Sequence, residues 1–107
     1  MKIKYRNQKI QKALSSEKEA NRQYGKRLAE KIFQRIQYLS AAPDLASVSP
    51  EPPYRRHKLK GNYAGYFSVD LNENWRLIFH PITLNKKEEY SLEDIKEISI
   101  ETVEDYH

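Results

Sequence analysis

A short charged run in the middle of the chain carries the side chains that phosphate chemistry needs. Residues 54–60 read Tyr-Arg-Arg-His-Lys-Leu-Lys, so four cations surround His57. These cations are Arg55, Arg56, Lys58 and Lys60. Histidine can donate or accept a proton near neutral pH, while arginine binds phosphate through a two-pronged fork and lysine binds it as a point charge. A solvated loop would have the same composition, because surface charge is ordinary.

The last three residues, Asp105-Tyr106-His107, offer a carboxylate, a phenol and a second imidazole. Alone they are weak evidence, because most chain ends are frayed. Together with His57 and the cations they suit RNA cleavage, in which the 2′-hydroxyl attacks the neighbouring phosphate. That reaction needs a general base, a general acid and positive charge at the phosphoryl oxygens. A tyrosine ring such as that of Tyr66 could stack on an unpaired base.

A zinc site is the competing chemical interpretation, with Asp105 and the three histidines as donors. None of the paired histidine spacings typical of metal motifs occurs, so the sequence predicts neither a metal site nor a cofactor. Among the other histidines, His80 precedes Pro81 at the end of a predicted strand and is interpreted as structural.

The composition excludes several classes of protein. The chain has 107 residues, a common size for one domain, and we expect residues 1–107 to form one. It has no cysteine, which excludes a disulfide scaffold and thiolate chemistry. Its longest apolar run is Leu77-Ile78-Phe79, whereas a membrane-spanning helix needs roughly 20 residues. Charged residues at the start oppose a signal peptide, so we expect a cytoplasmic protein.

The net charge of +4 conceals a strong asymmetry along the chain. Residues 1–87 hold 18 of the 19 Lys and Arg but only 7 of the 15 Asp and Glu, a net charge of +11. Residues 88–107 carry one lysine and eight acids, a net charge of −7. A basic body of this kind attracts polyanions, because each bound phosphate releases a condensed counterion.

Hydrophobic periodicity predicts helices first and an antiparallel sheet afterwards. Apolar residues at three- and four-residue steps (Leu28, Ile32, Ile36 and Leu39) predict one helix of five or six turns, which a capping box at Ser16 and Glu19 begins. Its opposite face is charged, includes Arg35 and is expected to be solvated, with a contact to a partner or to nucleic acid as the alternative. The other predicted elements are a short strand over 2–6, a helix over 8–14, a proline-rich loop over 42–53, a hairpin over 65–80 and a last strand near 96–103.

This order predicts an α+β domain with a short N-terminal strand and two helices packed on one face of a mainly antiparallel sheet. Alternation places Trp75, Leu77 and Phe79 towards the helices, together with Ile98 and Ile100 of the last strand. The opposite face is then polar, without a covering helix, and is a plausible site. Its predicted members are Tyr66, Ser68, Arg76, Asp105 and His107.

Four ordered segments resemble the HigB toxin family, which belongs to the RelE/ParE superfamily of type II toxin–antitoxin systems. They are His57-Lys-Leu-Lys60-Gly61, Gly65-Tyr66-Phe-Ser-Val, Asn74-Trp75-Arg76-Leu-Ile-Phe79 and Glu104-Asp105-Tyr106-His107. The resemblance implies a RelE-like fold and an endoribonuclease that cleaves mRNA in the A site of the 70S ribosome. It also implies a HigA-like helix-turn-helix antitoxin as partner, in a hetero-oligomer that binds operator DNA.

The same resemblance implies which residues act. The family's active-site histidine and lysine fall on His57 and Lys60, its hairpin arginine on Arg76, and its terminal triad on Asp105, Tyr106 and His107. Beside them, Arg55, Arg56, Lys58 and Tyr66 are the candidate RNA-binding residues. The chain departs from the family pattern at Lys58, where the family commonly has proline, and in a long connection over residues 81–95.

Two other functions stay open at this stage. A ParE-like inhibitor of DNA gyrase would not need the titratable residues. A non-catalytic RNA- or ribosome-binding module would show salt-sensitive binding without cleavage products.

Overall fold

A computed structural model describes residues 1–83 and 90–105 of the chain. The described residues form three α-helices and a five-stranded sheet. The helices are α1 (Gln8–Ser15), α2 (Glu17–Tyr24) and α3 (Lys26–Ala41). The strands are β1 (Lys2–Tyr5), β2 (His57–Lys58), β3 (Phe67–Asp70), β4 (Trp75–Pro81) and β5 (Glu97–Asp105), in the spatial order β1-β5-β4-β3-β2. Only the β1–β5 pair is parallel within this described sheet. The predicted α+β class is confirmed.

The predicted long helix is wrong at one point, because Gly25 divides it into α2 and α3. Ser16 caps the start of α2 as predicted, its hydroxyl accepting a hydrogen bond from the Glu19 amide at 3.3 Å. At Gly25 the backbone takes φ 84° and ψ 157°, a conformation that side chains rarely allow, and the helix axis is interrupted. The hydrophobic pattern continues across the break because both helices bury residues against the same core.

The core lies between these helices and one face of the sheet. Leu14, Ile32 and Leu39 bury fully from the helical side. The sheet contributes fully buried residues from its three central strands, and these are Val69, Leu77, Phe79, Ile98 and Ile100. No helix in the described part of the chain is long and apolar enough to cross a membrane.

A β-bulge in β5 changes which side chains face the helices. Ile78 lies opposite Thr102, but the next residue of β4, Phe79, lies opposite Ile100, so Glu101 is an extra residue. One extra residue reverses the alternation of the strand beyond it. Val103 therefore lies opposite Leu77 and is buried in the core.

The bulge overturns one prediction about the last strand. Asp105 lies opposite Trp75, whose ring contacts Tyr24 of α2. Residues directly opposite each other share a face of the sheet, so Asp105 lies on the helix side of the strand. The predicted outward phase of Asp105 is wrong, and Glu104, opposite Arg76, takes the outward position.

The loop that leads into β2 is held by two arginines. Arg35, predicted to be solvated, is buried: its Nε donates to the Asp70 carbonyl at 2.7 Å, and its guanidinium lies 4.9 Å from the centre of the Tyr54 ring. Tyr54 stacks in turn on Tyr38 of α3. The second arginine, Arg56, donates through Nη1 to the carbonyls of residues 45, 46 and 48. The loop is thereby tied to α3 and β3 immediately before His57.

We expect Gly25→Ala to destabilise the protein by about 1 to 3 kcal/mol, because a side chain at this φ and ψ is strained. No described atom lies within 4 Å of the added Cβ, so the cost comes from the backbone and not from a clash. Denaturant unfolding measures it. Lys26→Ala, an exposed neighbour, serves as the control and should change stability by less than about 0.5 kcal/mol. A more stable Gly25→Ala protein would show that α2 and α3 form one continuous helix.

Candidate active site

A cavity of about 370 Å³ lies at the sheet face that does not pack on the helices. It combines an imidazole, two cationic side chains, a phenol and a carboxylate. Its lining residues are His57, Leu59, Lys60, Tyr63, Arg76, Ile78 and Glu104. Charged groups of both signs meeting on an apolar floor make this cavity the candidate active site.

The sheet register brings the cavity's charged residues onto one face. His57 lies opposite Ser68, which lies opposite Ile78 on the next strand. Arg76 lies two residues before Ile78 on the same strand, and Glu104 of β5 lies directly opposite Arg76. Since directly opposed residues share a face and alternate residues return to it, three separate strands supply the histidine, the arginine and the carboxylate.

Arg76 lies between two carboxylates of neighbouring strands, Asp70 on β3 and Glu104 on β5. The Asp70 carboxylate also pairs with Arg55, at 3.4 Å between Nη1 and Oδ2. Opposite charges at neighbouring positions of a sheet attract each other modestly. Arg76 lies half-buried at the wall of the cavity, between strands that carry these carboxylates, while His57 and Lys60 are exposed.

Tyr63 lines the cavity and binds its carboxylate. It belongs to a short 3₁₀ turn over Gly61–Tyr63, and its hydroxyl donates a hydrogen bond to Glu104 Oε1 across 41 residues of sequence. The bond to Glu104 raises the pKa of Tyr63 to about 12, and partial burial and the charges of Glu104 and Glu101 add to the effect. Tyr63 therefore stays a protonated donor near neutral pH and fixes the position of the Glu104 carboxylate.

The structure brings together part of the predicted catalytic set. His57, Lys60 and Arg76 line the cavity together. Asp105 lies on the opposite side of β5, and Tyr106 and His107 lie outside the described residues. Glu104 is the residue that sequence reasoning missed, because strict alternation from Ile98 and Ile100 assigned it to the helix side. The Glu104-Asp105-Tyr106-His107 segment did indicate a carboxylate at the site. The register shift in β5 determines that this carboxylate is Glu104 and not Asp105.

The predicted RNA-binding residues divide into two groups. Arg56 is committed to three backbone carbonyls and Arg55 pairs with Asp70, so both stabilise the loop. Lys58 is exposed on the edge strand β2, and Tyr66 packs its ring edge against Tyr63, 5.5 Å between centroids. Among the described residues, no three His, Asp or Glu side chains are placed to hold a metal ion.

Solved structures of several bacterial toxins share this fold. The YoeB/ParE toxin from Agrobacterium tumefaciens is 15% identical, with a TM-score of 0.59 over all of both chains. The YoeB–YefM complex from Staphylococcus aureus matches at 19% identity and a TM-score of 0.58, covering all of this chain and 97% of the other. A YafQ variant from E. coli is 20% identical, with a TM-score of 0.57 over 96% of this chain and 90% of its own. The fold is therefore that of the RelE-like toxins.

Sequence comparison narrows this class to one family. The model described as the RelE-like toxin of the type II toxin–antitoxin system HigB matches residues 4–92, and the chain belongs to this HigB-like toxin family. A curated relative, "Endoribonuclease HigB" of Proteus vulgaris, is 32% identical over 50 residues, which are 47% of this chain and 53% of the relative. The chain thus matches about half the length of that relative.

The hydrogen bond between Tyr63 and Glu104 predicts a pH dependence of stability. Because the folded-state pKa of Tyr63 is raised from 10.0 to about 12, the folded protein holds this proton more tightly than the unfolded chain does. The stabilisation is complete below pH 10 and is lost as the pH rises towards 12.

Tyr63→Phe tests this dependence. We expect the free energy of unfolding to fall more steeply between pH 10 and 12 in the wild type than in Tyr63→Phe, as measured by denaturant unfolding. Burial also raises the pKa values of Tyr24 and Tyr90, but both residues are present in the two proteins and their effects cancel. Equal slopes would show that Tyr63 gives no proton-linked stabilisation.

Proposed function

We propose that this HigB-like toxin is an endoribonuclease that cleaves mRNA on translating 70S ribosomes in the cytoplasm, with residues 1–107 acting as a single domain. The observation that supports it most is the convergence of His57, Lys60, Arg76 and Glu104 on one cavity. A proton donor and acceptor pair flanked by cations is what cleavage by 2′-hydroxyl attack needs. The curated relative that matches half-length is named an endoribonuclease, which agrees with this proposal.

The proposed reaction includes two proton transfers, one from the attacking 2′-hydroxyl and one to the leaving 5′-oxygen. A base takes the proton of the RNA 2′-hydroxyl as its oxygen forms a bond to the adjacent phosphorus. The bond from phosphorus to the 5′-oxygen breaks, and an acid protonates that oxygen. The products are a 2′,3′-cyclic phosphate and a free 5′-hydroxyl. No redox step or metal-bound intermediate is part of this scheme.

The cavity supplies a candidate for each role. Lys60 and Arg76 stabilise the charge on the phosphoryl oxygens, Arg76 through a fork that matches two of them. Glu104, held by Tyr63, is the proton acceptor on the sheet, and His57 at the opening is the acid for the leaving oxygen. From the family resemblance, Tyr106 and His107 would add a positioning phenol and a second imidazole. Asp105, on the other side of β5, is assigned no proton transfer.

The charge distribution supports the proposed partners. The basic body over residues 1–87, with a net charge of +11, suits a ribosomal RNA surface. A HigA-like antitoxin with a helix-turn-helix domain would neutralise the toxin in a hetero-oligomer that binds operator DNA. A Staphylococcus aureus structure named as a heterotetrameric complex of the YoeB–YefM toxin–antitoxin shows a protein of this fold bound to its antitoxin.

Mapping mRNA ends tests the proposed activity against the other functions of this superfamily. The purified protein is added to translating ribosomes, to the same mRNA without ribosomes, and to a DNA gyrase supercoiling reaction. We expect new mRNA ends on ribosomes only. Intact mRNA with inhibited gyrase would favour a ParE-like inhibitor, and salt-sensitive binding with intact mRNA would favour a non-catalytic module.

We expect His57→Ala, Lys60→Ala and Arg76→Ala each to slow ribosomal mRNA cleavage by roughly 100-fold or more, because general acid–base groups and charge-stabilising groups typically contribute about that much. Single-turnover cleavage of ribosome-bound mRNA measures the effect. Lys31→Ala removes an exposed cation of α3 and is the matched control, with an expected change of less than twofold. Wild-type rates in all three cavity variants would refute the assignment.

Glu104→Gln and Asp105→Asn form a matched pair, since each removes one charge from adjacent residues on opposite sides of β5. We expect Glu104→Gln to slow cleavage roughly 100-fold, because the proton acceptor is lost. Asp105→Asn should change the rate by less than about fivefold. The reverse order would place the catalytic carboxylate at Asp105 and contradict the role of Glu104.

A further inference from the structure

A second cavity of about 640 Å³ adjoins the candidate active site. The two cavities share Leu59 and Lys60 in their walls. Its volume lies in the range of small-molecule sites. Lys60, which would bind the scissile phosphate, therefore lies at the border of both cavities. An RNA strand bound in the first cavity could extend past Lys60 into the second.

Two aromatic rings form one wall of this second cavity. Tyr66, immediately before β3, and His80 of β4 both line the cavity, with ring centroids 5.1 Å apart and planes at 60°. Both are half-buried, so they present ring surface without being enclosed. His80 Nδ1 lies 3.2 Å from the Pro81 carbonyl, a contact that restrains the imidazole. The Tyr66 ring also contacts that of Tyr63, which lines the first cavity.

Cationic side chains surround these rings. Lys58 and Lys60 both line the cavity and are exposed. Aromatic rings beside positive charge are the features with which proteins hold unpaired nucleobases, because every base has a stackable face and is joined to a phosphate. A base inside a duplex is already stacked and would not be available to this wall.

We infer that the second cavity is a nucleobase subsite, in which an unpaired base of single-stranded RNA stacks on Tyr66 and His80 while an adjacent phosphate lies at Lys60. This inference rests on the proposed function in one respect. Only if the first cavity cleaves RNA is the phosphate at Lys60 the scissile phosphate and the stacked base its neighbour in the strand. It gives His80, interpreted from sequence as structural, a role in binding substrate.

Fluorescence of a base analogue tests the subsite without requiring cleavage. A series of short single-stranded RNAs is titrated with the full chain. Each RNA carries 2-aminopurine at one position, and 2′-O-methylation blocks 2′-hydroxyl attack. We expect quenching at one position, because stacking on an aromatic ring quenches this analogue. Tyr66→Leu and His80→Leu should each weaken binding roughly tenfold and reduce the quenching.

Ring-preserving variants are the matched controls. Tyr66→Phe and His80→Phe keep the stacking surface and should bind within about threefold of the wild type with the quenching intact. If either leucine variant fails to unfold cooperatively on heating, the other supplies the comparison. Leucine variants that bind and quench like the wild type would overturn the subsite, as would the absence of quenching at every position.

Two further results distinguish the nucleobase subsite from the proposed endoribonuclease activity and from an antitoxin-binding surface. Position-specific quenching with no mRNA cleavage on ribosomes would refute the proposed endoribonuclease and leave the nucleobase subsite standing. Leucine variants that lose affinity for the antitoxin, with RNA binding and quenching unchanged, would assign the cavity to a protein partner and overturn the inference.

Discussion

The candidate site depends on one irregularity, the extra residue at Glu101 in β5. With strict alternation, the strand could not bury both Ile100 and Val103 against the helices. The bulge satisfies both demands and, as a consequence, turns Glu104 to the face where Arg76 lies. Bulges commonly occur beside active sites, where they redirect a side chain. Here the hydrophobic core and the candidate site are set by the same local register shift.

A second constraint holds His57 on the sheet face to which the bulge turns Glu104. β2 is only two residues long and lies at the edge of the sheet, so its own hydrogen bonds cannot position it firmly. The preceding loop does this instead, through the buried Arg35 and the guanidinium of Arg56. Each guanidinium donates to backbone carbonyls that would otherwise lack this partner. Arg35 and Arg56 thus serve the fold, whereas Lys58 and Lys60 are exposed and can meet a polyanion.

Sequence patterns predicted the order of the elements and most of the core. The alternation of Phe67 and Val69 with Leu77 and Phe79 specified the hairpin, because one face of it is buried. The break at Gly25 was missed because the apolar spacing of α3 continues that of α2 in phase. The burial of Arg35 was missed because its charge outweighed its spacing. Arg35 lies seven residues after Leu28 and four before Leu39, which places it on the apolar face of α3, where it binds the Asp70 carbonyl and the Tyr54 ring.

The site was predicted less completely than the fold. His57, Lys60 and Arg76 follow from residue type and from the family resemblance, and the structure places them around one cavity. Glu104 could not follow from alternation, because a bulge depends on how the whole strand packs and not on its local pattern. The link between Tyr66 and His80 required the register of β3 and β4, which fixes which side chains become neighbours across the sheet.

The chemistry of the product ends tests the central claim, that the cavity cleaves RNA by 2′-hydroxyl attack, most directly. Messenger RNA fragments from ribosomes treated with the wild-type protein would be analysed for their terminal groups by mass spectrometry and enzymatic labelling. We expect 5′-hydroxyl ends and 3′ ends that carry a cyclic or opened phosphate. Fragments with 5′-phosphate and 3′-hydroxyl ends would contradict the account, because water and not the 2′-hydroxyl would then be the nucleophile.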